Sequence, residues 1–231
     1  GSGQRVALAS AEQDDVYFDE NNPLRFSIVQ RDDVNVTATG TLSVTAQGDV
    51  FLGGEQDLNI YNVQGDSIRI KTSGSIESAN GSNVVINGHD VVLEAAGGSI
   101  GAKAGGLNLQ ATGDLTARAN YLNLIQHGDL SVQRLTGLDA LHLKVLGNLT
   151  SASQLGESLL GGSVNLTVTG NVGSSTDRVQ IGTGGVDDRI AVNIGGNAWL
   201  GGLQGVASQP GVLRFAGATV GGTLDIGQTY S

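Results

Sequence analysis

Cysteine and methionine are absent from this 231-residue sequence, and proline occurs only twice. Without cysteine there is no disulfide framework and no thiolate metal site. Aromatic residues make up 4% of the chain, which argues against a large globular core, because such cores use Phe, Tyr and Trp as bulky filler. Basic residues are also scarce: 12 Lys and Arg stand against 22 Asp and Glu, a formal charge of −10. The basic footprint that nucleic acid requires is therefore missing, and no nucleic-acid partner is expected. An anionic membrane surface is disfavoured for the same reason. Apolar runs stay well short of the ~18 residues a membrane span needs, so no membrane insertion is expected. A signal peptide is also missing. Gly1-Ser2-Gly3 reads as an expression scar, and the chain as a fragment of a longer protein.

Glycine is abundant, at 37 residues, and the hydrophobic fraction of 39% is dominated by Val, Leu and Ile. That aliphatic content argues against disorder and suits a narrow core. Two regions are expected. Residues 1–33 are rich in acidic side chains, among them Glu12, Asp14, Asp15, Asp19 and Glu20, and they hold Pro23. They read as a cap or irregular entry segment, in which Arg25 to Val29 alternates like a short strand. Stacked β-structure needs such a cover, since an open edge invites pairing with another chain. Residues 34–231 read as repeats.

In these repeats, short alternating runs end in glycine, then a small polar residue, then an aliphatic one. Leu107 to Leu115 reads Leu-Asn-Leu-Gln-Ala-Thr-Gly-Asp-Leu, and Val164 to Val172 reads Val-Asn-Leu-Thr-Val-Thr-Gly-Asn-Val. Period-two alternation sends Leu, Val and Ile to one face and Asn, Thr, Gln or Lys to the other. Glycine supplies a turn backbone that a β-branched residue resists, and the Asp, Asn or Ser after it bonds the turn. One unit buries a single face, so it becomes stable only when copies stack. Outward Asn and Thr can then form hydrogen-bonded ladders between turns.

The turn glycines are Gly48, Gly74, Gly98, Gly113, Gly128, Gly147, Gly170, Gly196 and Gly222. A spacing of 26 residues separates Gly48 from Gly74, and again Gly170, Gly196 and Gly222. Gly98, Gly113 and Gly128 are only 15 apart, which places them at different corners of successive turns and leaves the register open from Gly98 to Gly147. A helical reading fares poorly, since no sustained i, i+3, i+4, i+7 pattern occurs and each interior glycine costs a helix about 1 kcal/mol. A β-sandwich would want more aromatics, and Asn-Gly or Asp-Gly hairpins in place of the Gly-Asp and Gly-Asn order seen here.

The units at Leu107–Leu115 and Val164–Val172 resemble repeats of filamentous-haemagglutinin-type exoproteins, the large adhesins exported by two-partner secretion. The resemblance runs from about Val34 to Gly222. It implies a right-handed β-helix, export to the bacterial cell surface and attachment to host cells, surfaces or other bacteria. The family's secretion motif, Asn-Pro-Asn, is matched here only by Asn22-Pro23. The expected fold is all-β, a right-handed parallel β-helix (solenoid) with an N-terminal cap-like segment.

No catalytic constellation, cofactor site or metal triad stands out. If the chain is an enzyme, of the polysaccharide lyase, hydrolase or tailspike type, its candidates are Asp187, Asp188 and Arg189. They follow Gly182-Thr183-Gly184-Gly185, so a solvated loop is the plain reading. Asp14, Asp15, Asp19 and Glu20 are weak calcium candidates without EF-hand spacing. His142 is expected to point outward between Leu141 and Leu143, and Trp199 to fill space in the C-terminal turns. The function expected is that of a structural or adhesive module, not an enzyme, secreted or at the cell surface. Its partners would be a host or bacterial surface glycan or protein, and the outer-membrane transporter of the parent. A third reading is a filament or scaffold component that self-associates end to end.

Overall fold

The computed structural model describes residues 4–7, 15–18, 34–37, 40–102, 105–152, 158–184, 189–202 and 214–228. It is an all-β, parallel β-solenoid, as the repeat predicts, and no helix occurs among the described residues. The first two strands, β1 (Gln4–Ala7) and β2 (Asp15–Phe18), form an antiparallel hairpin, and β1 runs beside β3 (Val34–Thr37). Arg25 to Val29 lies outside the described residues.

Each turn contributes to each of two faces, as one strand, two short ones or half of a long one. Face A begins with β3 and continues through β5 (Val50–Gly54), β7 (Ile68–Thr72) and β10 (Val91–Ala95) to the first halves of β13 (Asp114–Gln126) and β14 (Leu130–Val145). It ends with β15 (Leu149–Ser151) and β16 (Leu159–Gly161), then Val172 and β18 (Val179–Thr183), β20 (Ala198–Gly202) and β22 (Leu224–Gln228). Face B starts from β4 (Gly40–Thr45), β6 (Leu58–Gln64), β8 (Ile76–Ser78) with β9 (Ile86–Gly88), and β11 (Ser99–Ile100) with β12 (Leu107–Ala111). The second halves of β13 and β14, then β17 (Ser163–Val168), β19 (Arg189–Ile194) and β21 (Phe215–Val220), complete it.

Parallel register makes like stack on like. Val50, Ile68, Val91, Leu115 and Val132 form one inward column on face A. Leu58, Ile76, Ile100, Leu122, Leu141, Val164 and Ile190 form another on face B. None of these side chains is more than 2% exposed. Each contributes about 1.5–3 kcal/mol by leaving water. The buried hydrophobic core holds only Val, Leu, Ile and Ala, since two sheets ~10 Å apart leave room for medium aliphatics that interdigitate.

The corner before face A explains the Gly-Asx motif. Asp129 Oδ1 accepts the Asn148 N–H at 2.7 Å, Asn148 Oδ1 that of Asn171 at 2.8 Å, Asn171 Oδ1 that of Asn197 at 2.8 Å, and Asn197 Oδ1 that of Thr223 at 2.8 Å. Asp49 to Ser67 and Asp90 to Asp114 repeat the contact in earlier turns. The preceding glycine makes room for it. A Cβ at Gly147, Gly170, Gly196 or Gly222 would lie 2.4–2.5 Å from the Asx oxygen of the turn before. Of the nine turn glycines, only Gly128 has a positive φ, +99°. Gly147, Gly170, Gly196 and Gly222 are thus required by close approach, whereas at Gly128 the reason is backbone conformation.

Turn length varies with what leaves the corners. The ladder contacts span 18, 24, 19, 23, 26 and 26 residues. The 26-residue period of Gly170, Gly196 and Gly222 is a true turn, since their backbones bond one another directly. The equal Gly48–Gly74 spacing is not: Asp49 leads to Ser67, while Gly74 stands at the opposite corner against Asp57. Between Gly113 and Gly128 the register is set by Gln126, a fully buried polar side chain. Its amide accepts the Ala111 N–H at 3.0 Å and donates to the carbonyls of Ala111 at 2.8 Å and Asp129 at 2.9 Å. Gln126 acts there as a piece of backbone.

Three substitutions test this account by urea unfolding. Gly196→Ala is expected to cost about 1–3 kcal/mol through overpacking. Gly217→Ala, where a Cβ meets nothing within 4 Å, should stay within about 0.5 kcal/mol of wild type. Gln126→Leu strands buried backbone groups and should cost about 3 kcal/mol. A neutral Gln126→Leu would show that those groups find other partners.

Candidate functional site

A shallow groove of about 420 Å³ follows the Asx ladder, lined by Thr112, Asp129, Ser131, Asn148, Thr150 and Asn171 among others. Its polar atoms are already engaged. Asn148 donates Nδ2 to Asp129 while accepting from Asn171, Ser131 Oγ donates to Asp114 at 2.6 Å, and Thr150 Oγ1 donates to the Leu130 carbonyl at 3.3 Å. These groups hold the fold. The outward sides of the two faces are the surfaces left for recognition.

On those faces charge is sorted by position. Asp49, Asp66, Asp90 and Asp129 lie at the corner before face A, and Asp114 opens the strand that follows it. The outward side of face A carries Arg69, Lys71, Arg118 and Arg134, with Glu94 placed in register between Lys71 and Arg118. Lys71 Nζ reaches Glu94 Oε2 at 3.2 Å. In the open this pair is worth less than about 1 kcal/mol. The outward side of face B carries Tyr121 and Asn123 on β13, Ala140, His142 and Lys144 on β14, and Ser163 and Asn165 on β17. The Tyr121 and His142 rings are 5.2 Å apart, tilted by 42°. Tyr121 was legible in Tyr121-Leu122-Asn123-Leu124, whose alternation turns it outward, but a single tyrosine carries no motif.

Asp187 and Asp188 lie outside the described residues; Arg189 opens β19, exposed and in register with Ser163. Asp14, Asp19 and Glu20 also lie outside, while Asp15 opens β2. Among the described residues, no group of three or more His, Asp or Glu is placed to hold a metal ion. The histidines are apart from one another. His89 Nδ1 is 3.2 Å from Thr112 Oγ1, His127 Nε2 is 2.9 Å from Asn108 Oδ1, and His142 points outward from β14 between buried Leu141 and Leu143. Contrary to the expectation that it fills space in the C-terminal turns, Trp199 points outward between buried Ala198 and Leu200, opposite Asp225 on β22, because strand alternation gives the inward positions to its two neighbours.

Arg178 straps the C-terminal rungs. It ends the loop that leaves Val172 at Gly173, where φ is +63°. Its guanidinium crosses the β20 rung to donate to Asp225 Oδ2 at 2.8 Å and to the Asp225 carbonyl at 3.1 Å. A Cβ at Gly227 would lie 2.6 Å from Arg178 Nε, so glycine lets the side chain lie flat. The hydrogen bond from Arg178 holds the Asp225 carboxyl below its usual range, against the opposing effect of desolvation. A carboxylate with a lowered folded pKa stabilises the fold above its unfolded pKa and stops doing so as pH falls through the folded value. The strap should therefore loosen only at pH values below the ordinary carboxylate range. Fluorescence of the chain's one tryptophan, Trp199 beside Asp225, should change over that window in wild type and not in Asp225→Asn. The same transition in both would remove the strap as its cause.

No protein-family model, curated protein or solved structure matches this chain.

Proposed function

We propose that this chain is a structural and adhesive β-solenoid module of a large secreted or cell-surface bacterial protein. It presents its outward faces to host cells, surfaces or other bacteria. One observation carries the reading: outward polar and aromatic side chains are held in parallel register, rung after rung, over a continuous aliphatic core. At ~4.8 Å between rungs, such a face repeats weak contacts along its length, and linked weak contacts add up to avidity. The resemblance of the repeats to filamentous-haemagglutinin-type exoproteins supports export by two-partner secretion, with the parent's outer-membrane transporter as an assembly partner.

Beads coated with the chain should be retained on epithelial monolayers or on bacterial lawns several-fold more than beads coated with an unrelated acidic protein. Retention equal to that control would remove the adhesive reading. New reducing ends after incubation with a polysaccharide panel would favour a lyase or hydrolase instead.

A further inference from the structure

The middle of face B contains a cradle. Its floor is Ala140 and Ser163, small side chains on adjacent rungs, each one residue before the paired Leu141 and Val164. Tyr121 pairs with Ala140 on one side, and Arg189 with Ser163 on the other. Tyr121 and Arg189 are thus three rungs apart, about 14 Å at ~4.8 Å per rung. His142 and Asn165, also paired in register, wall one long side. Leu138, one of few large apolar side chains left exposed, at 53%, stands at the corner two residues before Ala140.

From this arrangement we infer that the cradle binds a short oligosaccharide of two or three pyranose rings bearing a carboxylate. The inference rests on the adhesive reading and names its ligand class. An aromatic ring beside small floor residues suits the apolar face of a pyranose, as aromatic side chains offer rigid contact area at low entropic cost. The Asn165 amide and the His142 imidazole can exchange hydrogen bonds with hydroxyls. Arg189, exposed at the far end, offers the fork that matches a carboxylate. The length of the cradle admits no more than a few rings, and the −10 charge of the chain disfavours long polyanions.

Saturation-transfer NMR with hyaluronan tetrasaccharide and with neutral chitotetraose tests the proposal. Wild type should bind both, the hyaluronan fragment about threefold to fivefold more tightly, as expected of one exposed ion pair. Tyr121→Ala should weaken both about tenfold. Arg189→Gln should equalise them. Ala140→Leu fills the floor without removing a polar group and should abolish binding at an unchanged Tm, which separates loss of the site from loss of the fold. Wild type that binds neither sugar overturns the cradle, as does binding unaltered in both Tyr121→Ala and Ala140→Leu. Bead retention by the same variants separates the two levels. Retained wild-type beads with unaltered variants would sink the cradle and leave adhesion standing. Sugar binding without retention would do the reverse.

Discussion

A side-chain oxygen occupies the space where a Cβ would be, and the rest of the solenoid is built around that contact. In the run from Asp129 to Thr223, each Asx oxygen takes the backbone N–H of the equivalent residue one turn later. The glycine before that residue must lack a side chain, because the same oxygen lies where its Cβ would go. Gly and Asx in one unit therefore serve different neighbours: the glycine answers the turn before, and the Asx supports the turn after. The constraint passes along the chain without needing any fixed number of residues between contacts.

That freedom accounts for the uneven turn lengths. The ladder and the paired strands fix the corner and the faces, and whatever lies between can lengthen. Insertions leave the rungs where glycine permits a left-handed backbone, at Gly81 between β8 and β9, at Gly101 between β11 and β12, and at Gly173 after Val172. Asparagine holds most of the later ladder. The earlier turns carry carboxylates at this corner (Asp49, Asp66, Asp90, Asp129), which can only accept, whereas the Asn amide both accepts from the next turn and donates to the one before. Asp129 starts its run, where it only needs to accept.

The parallel fold and the composition of its core were legible because alternation decides which side chains face in. Leu141, Leu143 and Val145 are all buried, with His142 and Lys144 outward. The register was only partly legible. Gly170, Gly196 and Gly222 are spaced by a true turn, but Gly48 and Gly74 share that spacing across opposite corners. Identical residues serve both corners, so counting glycines cannot tell them apart; the pairing of strands does. Gln126 hides the register further, since it substitutes a side-chain amide for a rung of backbone; alternation from Leu122 and Leu124 turns it inward, but the local sequence does not show which backbone groups it meets there. The candidate site was less legible still, because Tyr121, Ala140, Ser163 and Arg189 become neighbours only when four turns are stacked.

The scarcity of aromatic residues takes on a different meaning once the core is seen. Every aromatic side chain whose burial is described, Phe51, Tyr61, Tyr121, Trp199 and Phe215, lies outside the fully buried core. A core of stacked medium aliphatics has no column into which a ring fits without displacing its neighbours above and below, and overpacking of that kind is destabilising. A ring retained in such a repeat must then be carried on the surface or at an end rung. Aromatics exposed on a rigid, regularly spaced face are suited to recognition, since ordering them on binding costs little that the fold has not already fixed. The narrow core that excludes rings from the interior thus places Tyr121 and Trp199 on the outward faces.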